Sequence, residues 1–303
     1  DPDTNCEACC EFTITVHPLP DVNCPQDIQV CIDDPPFNLT GATPPGGSYN
    51  DLLGNNVNPF NPAAWGVGTH LIFYDYTDPN TGCFNFCTFT VTVHALPNVD
   101  CPPNMTVCED DPQFLLAGAT PAGGAYAGPG VVGGNSFNPS AAGPGVHSIT
   151  YNYTDPNTGC SNSCTFTITV NPEPNVTCPP NMNVCVNDPA FPLAGANPPG
   201  GTYLDNAGNP IVNFNPAWGV GAYPITYKYT DPQTGCTGQC NFIINVNPLP
   251  VVTCPADTSI CEDNPPFILT GATPAGGVYT GIGVSFLAGN YWYDPSVWGP
   301  GTV

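Results

Sequence analysis

The side chains with the most chemistry to offer in this chain are its 17 cysteines, and they fall at fixed spacings. A Cys-Pro pair opens a Cys-x6-Cys block at Cys24/Cys31, Cys101/Cys108, Cys178/Cys185 and Cys254/Cys261. About fifty residues further on, a Gly-Cys-x3-Cys block supplies Cys83/Cys87, Cys160/Cys164 and Cys236/Cys240. Cysteines in such numbers bind metal or form disulfides. Zinc sites pair tighter Cys-x2-Cys units or bring in histidine, so the spacing argues for disulfides. Such an inventory belongs to an oxidising compartment, and the expected location is extracellular, at the cell surface. Two bridges per unit, each closing a loop of roughly 50–60 residues, are worth ~4 kcal/mol apiece in the chain-entropy account. That rivals the whole stability of a small domain. Four cysteines allow three connectivities, and spacing alone does not choose among them.

The carboxylates form a second candidate set. Asp33, Asp34, Asp110 and Asp111 follow the second cysteine of the Cys-x6-Cys block, while Asp78 and Asp155 sit before proline in a Thr-Asp-Pro turn. Calcium takes six to eight oxygens, and two such loops meeting at a junction between units would supply them, so calcium is the one cofactor this pattern admits. Asp before Pro also starts turns for purely local reasons, and the spacing is not that of an EF-hand. His17, His94, His70 and His147 have Asn or Tyr at the comparable places of the third unit, so no histidine is assigned chemistry. Neither a Gly-x-Ser-x-Gly elbow nor a zinc-protease helix motif occurs, and no catalysis is expected.

What must position these groups is a set of short strands. The sequence holds 40 prolines and 33 glycines, which oppose long helices, against Val, Ile, Thr, Tyr and Phe runs that alternate with polar residues. Lys228 is the single basic residue against 24 acidic ones. A formal charge of −23 excludes nucleic acid as a partner and opposes docking on anionic lipid. No apolar run approaches the ~20 residues of a membrane helix, so no membrane insertion is expected within these residues. The chain has no initiator Met and no signal-peptide pattern, as expected of a processed or partial chain.

The Cys-x6-Cys blocks recur at steps of 77, 77 and 76 residues. Each is followed by a Phe-x-Leu strand, then Gly-Ala-Thr/Asn-Pro-x-Gly-Gly-x-Tyr at 41–49, 118–126, 195–203 and 271–279. An Asn/Asp-Pro turn comes next, then Tyr-x-Tyr-Thr-Asp-Pro-x-Thr-Gly-Cys-x3-Cys from Tyr74, Tyr151 and Tyr227, and an alternating strand such as 165–170 closes the unit. The boundaries read from this are 1–20, the closing strand of a preceding domain; 21–97, 98–174 and 175–250, three full repeats; and 251–303, an incomplete fourth. Proline-bearing linkers such as 93–97 are semi-rigid, so the array is expected to behave as a rod. The fold class expected is all-β, tandem immunoglobulin-like β-sandwich domains of about 77 residues, stapled by disulfides.

The opening 175–179 and the closing Cys-Thr-Phe-Thr-Ile-Thr-Val at Cys164 resemble the two ends of hyalin-repeat domains. The middle, from Pro121-Ala-Gly-Gly through Tyr151-x-Tyr153-Thr-Asp155 to Gly159-Cys160, resembles the immunoglobulin-like repeats of large Bacteroidota surface proteins, adhesins tied to type 9 secretion and gliding. Together the resemblances imply Cys24–Cys87 with Cys31–Cys83, Cys101–Cys164 with Cys108–Cys160, and Cys178–Cys240 with Cys185–Cys236. Cys6 and Cys10 would then pair outside these residues or with Cys261 and Cys254 of a neighbouring molecule. Cys9 stands where other units have Phe86, Ser163 and Gln239, and is either unpaired or an intermolecular link. The function expected is a structural part of an extracellular filament, stalk or adhesin, whose partners are copies of itself or further repeats. The alternative is a module array attached to a secreted enzyme, binding surface glycans or a protein partner through the variable stretches 50–58, 128–135, 204–212 and 280–290.

Overall fold

The structure, a computed structural model, describes Asp3, residues 9–298 and 300–302. Cys6 therefore lies outside the described residues. The chain divides into two compact units, Asp1–Glu173 and Pro174–Val303. The division falls at the Pro-rich stretch between the second and third sequence repeats.

In the first repeat four strands make one sheet: β1 (Ile28–Cys31), β2 (Ser48–Asn50), β3 (Gly68–Thr77) and β4 (Phe84–His94), in the order β1-β4-β3-β2. The hairpin β3–β4 is antiparallel through ten paired positions, and β1 runs parallel to β4, with Cys31 opposite His94. The second repeat builds the same sheet from Met105–Cys108, Ser161–Asn171, Gly145–Thr154 and Ala125–Ala127. The third builds it from Met182–Cys185, Thr237–Asn247, Gly221–Thr230 and Thr202–Leu204, and adds a fifth strand, Pro210–Ile211, beside the last. A smaller layer lies over each: Phe37 pairs with Phe60, Phe114 with Phe137 and Phe191 with Phe214. Among the described residues, helix is confined to single turns such as Pro62–Trp65 and Pro139–Ala142, started by the Asn-Pro pairs.

The period-2 pattern sorts the hairpin into two faces. In β4, Phe89, Val91 and Val93 are buried against Leu39, Tyr49, Phe60, Ile72 and Tyr74. Phe166, Ile168 and Val170 do the same in the second repeat, as do Phe242, Ile244 and Val246 in the third. Burying a side chain of this size contributes roughly 1.5–3 kcal/mol, so the closing strand supplies a large part of each core.

The Gly-Gly-x-Tyr motif has a packing explanation. Tyr151 Oη donates to the Pro121 carbonyl at 2.7 Å and accepts from the Gly124 N–H at 2.7 Å. A Cβ on Gly124 would stand 2.3 Å from the Asn152 carbonyl oxygen and 2.6 Å from the Tyr151 ring, so only glycine fits there. Tyr126 packs on Tyr151 at 4.7 Å between centroids, and its hydroxyl accepts from the Ala119 N–H at 3.4 Å. Tyr74 and Tyr227 make the same pair of bonds in their repeats.

Residues 9–20 carry the alternating pattern of a closing strand but form none in the structure; Phe12, Ile14 and Val16 are exposed. Residues 251–298 form only short strands, Phe267–Ile268, Val284–Leu287 and Asn290–Tyr293.

Candidate functional site: the disulfide junction

Each block of cysteines is held in a turn that fixes where its sulfurs face. At the end of β1, the Cys31 N–H donates to Asp34 Oδ2 at 2.7 Å, and the Asp34 N–H returns to the Cys31 carbonyl at 3.1 Å. Asp111 and Asp188 cap Cys108 and Cys185 in the same way. The Gly-Cys block closes a different turn. The Asp155 N–H donates to the Cys160 carbonyl at 2.9 Å, the Gly159 N–H to the Asp155 carbonyl at 2.8 Å, and the Asn157 N–H to Asp155 Oδ1 at 2.9 Å. Gly159 adopts φ +76°, a conformation that favours glycine.

The bonds that result are Cys24–Cys87, Cys101–Cys164 and Cys178–Cys240 within repeats, each with Cα atoms 5.7 Å apart, and Cys31–Cys160 between the first two repeats, at 5.6 Å. The first three join the partners that the hyalin resemblance implied. The inner cysteines do not follow the Bacteroidota pattern: Cys31 is not bonded to Cys83, and Cys160 is not bonded to Cys108. Cys236 is disulfide-bonded while Cys185 is a free thiol, so that implied pair is not made either. Cys108 is also disulfide-bonded.

Strand direction gives the reason. Cys31 stands opposite His94, the last residue of β4, while Cys83 directly precedes Phe84, the first. Eleven residues of strand at ~3.3 Å each separate those ends by about 33 Å. A disulfide needs Cα atoms within about 7 Å. Cys108 opposite Asn171, and Cys185 opposite Asn247, are separated from Cys160 and Cys236 by strands of the same length. The second cysteine therefore belongs to the trailing end of its repeat and the Gly-Cys cysteine to the leading end, where only a neighbour can meet it. Asn162, near that leading end, donates from Nδ2 to the carbonyl of linker residue Pro97 at 2.9 Å, and Asn85 does the same to Pro20 at 2.8 Å. Cys31 and Cys160 lie 129 residues apart in sequence, but with the two intra-repeat bridges in place their bond closes a ring of only about 25 residues, so loop closure gives it roughly 3–4 kcal/mol, no more than the 63-residue loops of those bridges.

The remaining cysteines, Cys9, Cys10, Cys254 and Cys261, are exposed free thiols in this structure. Among the carboxylates, Asp34 and Asp111 are the turn caps already described, and Asp78 accepts from the Asn80 N–H at 2.8 Å as Asp155 does from Asn157. That hydrogen bond from the Asn80 backbone is the main reason the Asp78 carboxyl lies below the ordinary value of 3.8. The Cys31–Cys160 bond brings the turn carrying Asp33 and Asp34 to the turn carrying Asp155. Asp110, Asp111 and Cys108 place one ligand atom each within 4.8 Å of one another, but the Cys108 sulfur is in a disulfide. Two carboxylates are well short of the six to eight oxygens calcium takes.

His70 and His147 are not free surface residues. Each ring bonds through Nε2 to the carbonyl of a helix-ending glycine, Gly66 at 2.9 Å and Gly143 at 2.8 Å, and Tyr223 Oη donates to Gly219 in the third repeat. Trp65 stacks on Phe60 at 5.2 Å, a packing role. Sequence reasoning missed Asn85 and Asn162, whose only signal was recurrence two positions after the Gly-Cys cysteine. It also missed Asp27, Asn104 and Asn181, whose side chains accept from the closing-strand N–H groups of Thr90, Thr167 and Ile243.

With a parallel first strand against the last, a Tyr bonded back to an upstream loop and a disulfide across each sandwich, the class is defined: tandem immunoglobulin-like domains. The disulfides place their folding in an oxidising compartment. No helix among the described residues is long and apolar enough to cross a membrane.

No protein-family model matches the chain. Hyalin of the sea urchin Strongylocentrotus purpuratus is 26% identical over 339 aligned positions, covering 96% of this chain and 26% of hyalin. The chain thus spans about a quarter of that relative. Among solved structures, a Drosophila N-cadherin fragment matches at 12% identity over 74% of this chain and 98% of its own, with a TM-score of 0.22. An I-band fragment of titin matches at 13% over 74% and 96%, with a TM-score of 0.29. A SusE-like surface-located polysaccharide-binding protein of Bacteroides thetaiotaomicron matches at 11% over 59% and 43%, with a TM-score of 0.27. At such scores the fold stands on the strand order and register of this chain itself.

Proposed function

We propose that this chain is a structural segment of an extracellular filament, stalk or surface adhesin, of the kind built by large Bacteroidota surface proteins, in which tandem sandwiches act as spacers. The observation that carries this reading is the Cys31–Cys160 bridge. A disulfide inside a domain stabilises that domain, whereas one between neighbours restricts how they rotate about their linker. Here the bridge and the linker following His94 tie the same two repeats together, so the junction has two covalent connections where a flexible tandem array has one. Nothing in such a joint serves catalysis, and we assign the chain none. A charge of −23 with one basic residue suits a surface that stays solvated and does not adhere to nucleic acid or anionic lipid.

Electron microscopy of the native protein with and without reductant tests the reading. Beaded rods of limited bend, becoming visibly more flexible once the disulfides are reduced, are the expected result. Compact particles, or rods whose bending is unchanged by reductant, would rule out a spacer stiffened by its bridges.

A further inference from the structure

The three Gly-Cys cysteines occupy one turn but differ in state. The Asp78 N–H donates to the Cys83 carbonyl at 2.9 Å, and the Cys83 N–H to Thr81 Oγ1 at 3.4 Å, matching the contacts of Cys160 at 2.9 and 3.3 Å. Cys160 and Cys236 are disulfide-bonded, with 0% and 1% of their surface exposed. Cys83 is a half-buried free thiol. It stands at the leading end of its repeat, two positions before Asn85, which grips Pro20.

The sheet beside Cys83 differs from its counterparts as well. Phe84 and Phe86 are each 50% exposed and stack at 6.2 Å, with Phe73 5.9 Å from Phe86. The same positions hold Ser161, Ser163 and Thr150 in the second repeat and Thr237, Gln239 and Thr226 in the third. An aromatic cluster next to an unused thiol marks a face suited to being covered. In the third repeat, Cys185 keeps the Cys31 turn, its N–H on Asp188 Oδ2 at 2.7 Å, and is an exposed free thiol.

We propose that Cys83 is the acceptor half of a further inter-repeat disulfide, and that its partner is the second cysteine of the Cys-x6-Cys block of another repeat of this kind. This rests on the spacer reading above and adds how the array is extended. The ladder position that would serve Cys83 lies one 77-residue step before Cys31, ahead of residue 1, so the partner comes from elsewhere. The chemistry it brings is the one Cys185 displays: a thiol held at a strand end by an aspartate-capped turn. In the bond-forming step the two thiols release two protons and two electrons, and the sulfurs join. The electrons reduce the disulfide of an exchange catalyst, or a low-molecular-weight disulfide of the oxidising compartment, to two thiols. The new bond leaves Cys83 as buried as Cys160.

The test is to alkylate the native protein without reduction, digest it and map its disulfides by mass spectrometry. The Cys83 peptide is expected to be joined to a peptide carrying the second cysteine of a Cys-x6-Cys block. If that peptide holds Cys185 and the protein runs as a covalent multimer on a non-reducing gel, a second copy supplies the partner. If it holds a sequence outside these 303 residues and the mass is that of one polypeptide, a further repeat of a longer chain supplies it. An alkylated Cys83, or one bonded to Cys9, Cys10 or any cysteine outside such a block, overturns the proposal. The variant Cys83→Ser gives an independent readout, since it should expose one additional titratable thiol, that of the orphaned partner; no gain in thiols overturns the proposal too. Rods in the microscope with an alkylated Cys83 would leave the spacer reading standing and remove this one alone.

Discussion

Residues 175–250 and 251–298 begin with the same sequence pattern and end in different states. In the third repeat Phe214 is fully buried, and Tyr203 packs on Tyr227 at 4.7 Å. In the fourth, Tyr293 takes the place of Phe214 and is only half-buried, Phe267 is 36% exposed, and Cys254 is free where Cys178 is bonded. Some local devices are intact in both. The Ala272 N–H still reaches Tyr279 Oη at 3.1 Å, Asp294 still caps its turn through the Ser296 N–H, and Thr253 still pairs with Thr273. What residues 251–298 do not contain is a long hairpin. Turns and caps in this fold are local and survive alone, whereas the core is made only when a closing hairpin is laid across them.

That contrast can be broken in several ways. The largest effect is expected in hydrogen exchange of the 303-residue chain: amides in 267–293 should exchange roughly a thousandfold or more faster than those in 221–247, the ratio set by a global stability of only about 5 kcal/mol. Equal protection would mean the opening part of a repeat folds on its own. Next, Phe137→Ala should cost about 3–5 kcal/mol in denaturant unfolding of its domain, and Tyr293→Ala well under half of that, since the first side chain is fully buried and the second only half-buried.

The glycines sharpen the comparison further. Gly124→Ala drives a Cβ into the Asn152 carbonyl and should destabilise by roughly 1–3 kcal/mol. Gly277→Ala meets nothing within 4 Å and should leave the melting temperature unchanged. The smallest effect is acid-dependent. Asp27, Asp51, Asp78 and Asp205 titrate below their ordinary value of 3.8, each held down chiefly by hydrogen bonds from nearby residues, and all lie in full repeats. A depressed carboxyl stabilises the fold fully above 3.8 and loses that contribution as pH falls through its lower folded-state value. NMR titration should therefore show these four moving last on acidification, with a slight softening of the first and third repeats, which carry them, below pH 4.

The strands were legible because apolar residues alternate along 84–94, 161–171 and 237–247; the outer bridges came from the resemblance to hyalin repeats, since the spacing of Cys24, Cys31, Cys83 and Cys87 leaves three connectivities open. The inner pairing was not legible. Nothing in the spacing of Cys31 says that its strand runs parallel to β4 and reaches the trailing end, and without that direction Cys83 and Cys160 are equally good partners. A strand of eleven residues was the overlooked constraint, since it cannot have both ends within reach of one disulfide. His70 and Asn85 escaped for a similar reason: each serves a backbone carbonyl, Gly66 or Pro20, whose position depends on the packed fold.

The bridges also change what a protease can accomplish. From Cys24 to Cys164 two routes run side by side. One goes seven residues to Cys31, across to Cys160 and four more to Cys164; the other crosses to Cys87, runs 14 residues to Cys101 and crosses again. Every peptide bond between Cys24 and Cys164 therefore belongs to a closed ring, and cutting any one of them opens a ring without parting the chain. A digestive enzyme working on this region has to cleave repeatedly before a fragment leaves, a property no single domain of the array possesses beyond its own loop.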